Sequence, residues 1–183
     1  MAQRLGINPA DVPLLQKKYF MDYGTTLRGL QTHYEVDISD YLAFVHDVPL
    51  SDYIHPDPIQ KAVLRSLPQR KYIFTNADAA HARRVLKVLQ LEDCFAGIVD
   101  VTRLDPYCKP MQPAFQIAMD VAGETDPARC VVIDDLSSTT RVARELGFFS
   151  ILFQPGSQPD SVANAVLTSW VDLPAILEGS QSG

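Results

Sequence analysis

Helical spacing of apolar residues fills the first third of the chain, and short apolar runs alternating with amphipathic stretches fill the rest. From Asp11 to Tyr23, apolar side chains at Val12, Leu15, Tyr19 and Phe20 recur close to the helical period, and Gly24 ends the segment. Thr25 to His33 predicts another turn or two of helix. Ser39 opens a third helix, with Tyr41, Leu42, Phe44 and Val45 behind it. No strand pattern precedes residue 70. His55-Pro56-Asp57-Pro58 punctuates the chain: prolines so close together suit a hinge, and Pro58 is placed to start a helix.

Beyond that hinge the texture changes. Pro58 to Leu67 predicts a short amphipathic helix, and Lys71 to Asn76 (KYIFTN) a buried strand ending in polar residues. Ala79 to Leu89 reads as a helix with Val85, Leu86 and Leu89 inward, and Gly97 to Val101 as a second strand. Met111 to Ala122 is a helix started by Pro110, and Cys130 to Asp135 (CVVIDD) a third strand. Ser138 to Leu146 is a helix closed by Gly147, and Phe149 to Phe153 a fourth strand. Residues 154–168, rich in Gln, Pro and Ser, read as loop; Leu173 to Leu177 reads as a tail helix, and the final EGSQSG as a fraying end. Buried strands alternating with helices predict an α/β fold: a doubly wound parallel sheet with helices on both faces. Ligands of such sheets bind beyond the carboxyl ends of the strands, so the polar residue closing each run is where chemistry is expected.

Composition narrows the function. The chain has 183 residues and a net charge of −6. That length suits one domain, or a core of ~120 residues with a small appendage. No Lys/Arg cluster supplies the basic face of a nucleic-acid binder, so small-molecule chemistry is favoured. Cys94, Cys108 and Cys130 show no CxxC spacing and predict neither a disulfide framework nor a zinc site. No stretch has a signal-peptide core or the ~18 apolar residues of a membrane span, so a soluble, cytoplasmic protein is expected.

Three places carry suggestive residues. Thr75-Asn76 closes the first strand, where a hydroxyl and backbone N–H groups can hold phosphate oxygens; a plain turn is the bland alternative. Asp134-Asp135 closes the third, and adjacent carboxylates there need a cation or donors; oxygen ligation suits Mg²⁺, while a helix N-cap would also explain them. Lys109 sits between them in Cys108-Lys109-Pro110. Order and spacing join the three: Lys109 follows Thr75 by 34 residues, and Asp134 follows Lys109 by 25.

This set resembles the haloacid dehalogenase superfamily of phosphohydrolases. FTNAD is similar to its second motif, CKP to its third and VIDDL to its fourth, over about residues 12 to 153. YGTTLRGL, the stretch from Leu50 to Pro58 and YCKP look like the pyrimidine 5′-nucleotidase branch, whose small helical cap lies between the first and second motifs. The resemblance implies a cap over residues 1–55 and an α/β core over 56–183, with Mg²⁺ as cofactor and an aspartyl-phosphate mechanism. Its implied substrate is a small phosphate ester, a nucleoside monophosphate such as that of uridine or cytidine. By the same resemblance Thr75 and the Asn76 backbone bind phosphate, Lys109 neutralises its charge, and Asp135, assisted by Asp134, holds the metal. Tyr23, Arg28 and His33 would face the pocket from the cap.

Two departures stand out. Thr139 occupies a position, four residues after Asp135, where the branch has Asn or Asp, and Leu136 replaces a small Ser. The family's first motif, Asp-x-Asp after a strand, also lacks a counterpart. Asp22-Tyr23-Gly24-Thr25-Thr26 imitates it, but has Gly24 where the acid/base belongs and a helical approach with two lysines. The expectation is therefore that Asp22 is not the nucleophile. The strand bearing that nucleophile, central to the family sheet, is expected to be absent from this chain. A non-catalytic module binding phosphate or a partner protein is the competing reading. A receiver-like fold is disfavoured because its acidic pair comes early in the chain.

Overall fold

The computed structural model describes residues 1–155 and 162–180. Four helices lead the chain: α1 (Ala2–Leu5), α2 (Val12–Tyr23), α3 (Thr26–His33) and α4 (Ile38–Val45). There follow α5 (Pro58–Ser66), β1 (Tyr72–Phe74), α6 (Ala79–Leu89), β2 (Gly97–Val99), α7 (Val101–Leu104) and α8 (Gln112–Ala122). The chain continues through β3 (Val131–Asp134), α9 (Ser137–Glu145), β4 (Phe149–Phe153), β5 (Ala165–Leu167) and α10 (Leu173–Ser180). Side-chain caps set several starts. Thr25, Asp37, Asp57, Asp78 and Asp100 each accept a backbone N–H from the first turn of the helix that follows. Gly24 closes α2 in the left-handed region, at φ 80°. Among the described residues no helix is long and apolar enough to cross a membrane.

All strand pairing is parallel, as expected, but it falls into two sheets. In one, β1 pairs with β2, Phe74 opposite Val99. In the other the order is β3-β4-β5, Asp134 opposite Leu152. Among the described residues β1 and β3 each have a strand on one side only. Helices cover both faces. Phe74 and Val132 pack against Phe115, Met119 and Phe148 on one side. Ile73 and Ile133 turn to the other, toward Leu64 and Leu86 and toward Leu173 and Leu177 respectively. The leading helices join the α/β part through Leu27 and Leu42, which cluster with Val101 on α7.

Several local expectations are corrected. Residues 165–167 form β5, not loop: Asn164 bonds Ser150 through side chain and backbone and so seats Ala165-Val166-Leu167 beside β4. Residues 156–161 of that predicted loop, and 181–183 of the expected fraying end, lie outside the described residues. Asp37, not Ser39, caps α4. Pro113 rather than Pro110 lies in the first turn of α8. Val101 leaves the strand to begin α7, because the Asp100 carboxylate caps the Arg103 N–H and redirects the chain.

Close helix packing in the leading segment rests on one glycine. A Cβ at Gly29 would lie 2.2 Å from Cγ of Tyr19, at the root of a ring that is 4% exposed and cannot swing aside. Gly29→Ala gains about 1 kcal/mol of helix propensity. Overpacking of this kind costs about 1–3 kcal/mol, and contact at the ring root places it at the upper end. The substitution is expected to lower the thermal midpoint, whereas Gly179→Ala, where a Cβ meets nothing within 4 Å, is not. Calorimetry of both variants checks the pair.

Candidate functional site

Lys109 stands at the centre of the strand ends. Its Nζ lies 2.6 Å from Oδ2 of Asp134, with side chains 13% and 6% exposed, and 5.1 Å from the centroid of the Phe74 ring. Thus the carboxyl ends of β1 and β3, which share no backbone pairing, are tied through one ammonium. The other Asp134 oxygen accepts the Leu136 N–H at 2.9 Å. A buried pair repays its desolvation only with close geometry and further hydrogen bonds, and both are present.

Asn76 fixes the lysine in place. Its amide nitrogen donates to the Lys109 carbonyl at 2.9 Å, and its amide oxygen accepts the Lys109 N–H at 2.8 Å. The side chain is therefore occupied as a splint between the loop after β1 and the loop before α8. Thr75 accepts the Ala77 N–H through its hydroxyl oxygen at 3.0 Å, which leaves the hydroxyl proton free to donate. Thr75, Asn76, Lys109 and Asp134 thus converge on one lip of the strands. Asp135 is exposed and makes no hydrogen bond or ion pair among the described residues.

Magnesium can be tested against these donors. No group of three or more His, Cys, Asp or Glu among the described residues is arranged to hold a metal. Mg²⁺ is commonly bound by one or two carboxylates, with waters and phosphate oxygens completing the octahedron. The exposed carboxylate of Asp135 fits that sparse mode, whereas both oxygens of Asp134 are already engaged by Lys109 and the Leu136 N–H. Thr139, at the departure noted in the sequence, is fully buried and its hydroxyl has no hydrogen-bond partner among the described residues.

The leading helices reach this lip. A Cβ at Gly24 would meet Cys108 Sγ and the Lys109 carbonyl, each at 3.1 Å, and Cys108 Sγ donates to the Tyr23 carbonyl at 3.4 Å. The Tyr23 hydroxyl is engaged with His33 Nε2 at 2.9 Å. Arg28 is held by Asp105 at 2.6 Å and by Gln31 at 3.1 Å, so its guanidinium ties α3 to the loop leading to Lys109; its buried Nε has no hydrogen-bond partner among the described residues. That side chain lines a cleft of about 180 Å³ with Leu27, Ile38, Val101 and Thr102, beside the lip rather than over it. Asp22 lies in the middle of no strand: it is exposed on α2 and paired with Lys18 at 2.5 Å. His46 and His81 are half-buried and stacked on each other at 4.0 Å, a pairing that residues 35 positions apart do not announce.

Removing one member of the Lys109–Asp134 pair strands a buried charge. Lys109→Met is expected to destabilise the fold by about 3–5 kcal/mol. Adding Asp134→Asn recovers part of that loss, since asparagine keeps an acceptor for Leu136 N–H and no charge remains. Urea unfolding of the single and double variants measures both.

The comparisons with known proteins bear on family and fold. The family model for haloacid dehalogenase-like hydrolases matches residues 3–151. Phosphate metabolism protein 8 of Saccharomyces cerevisiae is 30% identical over 162 residues, covering 81% of this chain and 50% of that protein. The chain therefore spans about half the length of that curated relative. Among solved structures, a HAD phosphatase from Thermococcus onnurineus superposes with a TM-score of 0.64 at 16% identity, over 97% of this chain and 85% of its own. The HAD-hydrolase YfnB of Bacillus subtilis, bound to magnesium, gives 0.59 at 16% identity, over 96% and 76%. A parallel α/β fold with its lysine and aspartate joined at the strand ends, and a family match over most of its length, place the chain among the haloacid dehalogenase-like hydrolases.

Proposed function

We propose that this chain supplies the phosphate- and magnesium-binding lip of a phosphohydrolase for small phosphomonoesters, a pyrimidine 5′-nucleotidase-like enzyme acting on nucleoside monophosphates. The observation that carries the reading is the buried Lys109–Asp134 pair held by Asn76 at the strand ends. The Saccharomyces relative, named for phosphate metabolism, supports the substrate class, and the magnesium-bound Bacillus structure supports the cofactor.

The residues divide the work as follows. The Thr75 hydroxyl and the Asn76 backbone N–H donate to phosphate oxygens. The Lys109 ammonium offsets negative charge on the phosphoryl group as it transfers, at no reorganisation cost because Asn76 and Asp134 already orient it. Asp135 and Asp134 would hold Mg²⁺, which when bound supplies further charge neutralisation at phosphate. Residues 1–55 form the cap; Arg28 and Tyr23, engaged by Asp105 and His33 in this structure, would border the substrate from it only on giving up those bonds. The covalent step forms a bond from a carboxylate oxygen to phosphorus as the ester oxygen leaves; water then releases phosphate. Asp22, on its helix, does not supply that carboxylate. It would arrive on a strand filling the space between β1 and β3, outside the 183 residues.

A second reading is a non-catalytic phosphate- or protein-binding module, favoured by the single-sided pairing of β1 and β3. Phosphate release from uridine and cytidine monophosphates separates the two. A chain extended upstream in its reading frame is expected to release phosphate only with magnesium, and Asp22→Asn to leave that rate unchanged. Asp135→Asn is expected to raise the magnesium requirement about tenfold or more. Phosphate binding without turnover in the extended chain selects the second reading.

A further inference from the structure

The leading helices and the α/β part also meet at three residues that the proposed chemistry does not use. His46, at the end of α4, bonds through Nδ1 to Oδ2 of Asp78 at 2.6 Å. Asp78 caps α6, its other oxygen accepting the His81 N–H at 2.7 Å. An ionised carboxylate only accepts, so His46 must donate and carries its proton on Nδ1. The His81 ring lies on the His46 ring, centroids 4.0 Å apart and planes 18° from parallel. His81 Nδ1 is buried and has no hydrogen-bond partner among the described residues. From the next turn of α6, Arg84 donates to the carbonyls of His46 and Val48, both at 2.9 Å, and completes the clasp.

We propose that His46, Asp78 and His81 form a proton-operated latch, closed when His81 is neutral and released when it takes up a proton, which frees α4 from the start of α6. A proton on His81 would have no acceptor at Nδ1 and would press a cation face to face against a ring that already donates to Asp78. The other charges around the stack do not cancel it. Arg84 is positive. Asp78 faces His81 but has one oxygen on His46 and the other on the His81 N–H. Asp100, from the end of β2, is spent on the Ala79 and Arg103 N–H groups and the Thr102 hydroxyl. Asp47, beside His46, and Asp52, on the turn packed against α6, are exposed to solvent.

The sign follows from the two histidine environments. Burial first, and then the neighbouring His46, hold the closed-state pKa of His81 below its ordinary 6.5, with Asp78 opposing. In the open state the ring regains that ordinary value. The latch is therefore fully favoured above about pH 6.5 and loses its advantage as pH falls below it. Asp78 stays ionised throughout this range: burial pulls its pKa up, but the hydrogen bonds from His81 and His46 outweigh that and hold it below 3.8.

Amide hydrogen exchange of the whole chain, corrected for intrinsic rates, tests the latch at about pH 7.5 and about pH 5.5. Protection in α4 and in the first turn of α6 is expected to fall on acidification. Protection in β4 is expected to hold. His81→Phe keeps a stacked ring without a titrating nitrogen, and His81→Gln is a second neutral replacement should the first fail to fold. Each folded variant is expected to show no acid loss in α4. Acid loss in these variants equal to that of the parent, constant protection in the parent, or loss in β4 together with α4 would overturn the proposal.

Discussion

Lys109 can serve as the hinge pin of this structure because its charge is confined. A buried ammonium without a close anion would be expelled to solvent or would lose its proton. Asp134 at 2.6 Å supplies the close anion, and the Phe74 ring covers a further face of the ammonium. The constraint spreads outward. Asn76 must use both ends of its amide on Lys109, Cys108 must pack beneath the end of α2, and residue 24 must have no side chain. The contact of the leading helices with the strand ends is therefore set by the same loop that sets the lysine.

Much of this was legible in the chain because it rests on short-range rules. The runs around Ile73, Ile98, Val132 and Ile151 are apolar with polar ends, and they became parallel strands. Asp57 and Asp78 precede helical patterns, and each caps the helix that follows. Thr75, Lys109 and Asp134 could be picked out because each follows a strand or precedes a helix in a fixed order. What stayed hidden depends on contacts between distant positions. Arg28 with Asp105 is 77 residues apart in sequence, and His46 with Asp78 is 32 apart. A stretch such as Ala165-Val166-Leu167 is too short to declare itself; β4 and the Ser150–Asn164 bonds make it a strand.

The two junctions between the leading helices and the α/β part differ in kind. Near Lys109 the contact is steric and uncharged at its core: Gly24 against Cys108, and Leu27 with Leu42 against Val101. Packing of that sort is indifferent to pH and resists sliding, since interiors are dense and respond to volume. Near Asp78 the contact is a hydrogen-bonded stack of titratable rings. α4 takes part in both junctions, through Leu42 in the apolar cluster with Val101 and through His46 at its end in the bond to Asp78, so the stack bears on the end of α4 and the apolar cluster on its middle.

The open edges of β1 and β3 are tolerable for a reason visible in burial. A buried, unpaired backbone group costs about 1–3 kcal/mol, so several would consume a domain's whole stability of about 5–15 kcal/mol. The strands are short, three residues in β1 and four in β3. Their residues are also only half-buried for the most part, whereas in β4, paired on both sides, Ser150, Ile151 and Leu152 are all buried. Water can therefore satisfy many of the backbone groups along those two edges, while Lys109 joins Asp134 at the end of β3 to the Phe74 ring of β1.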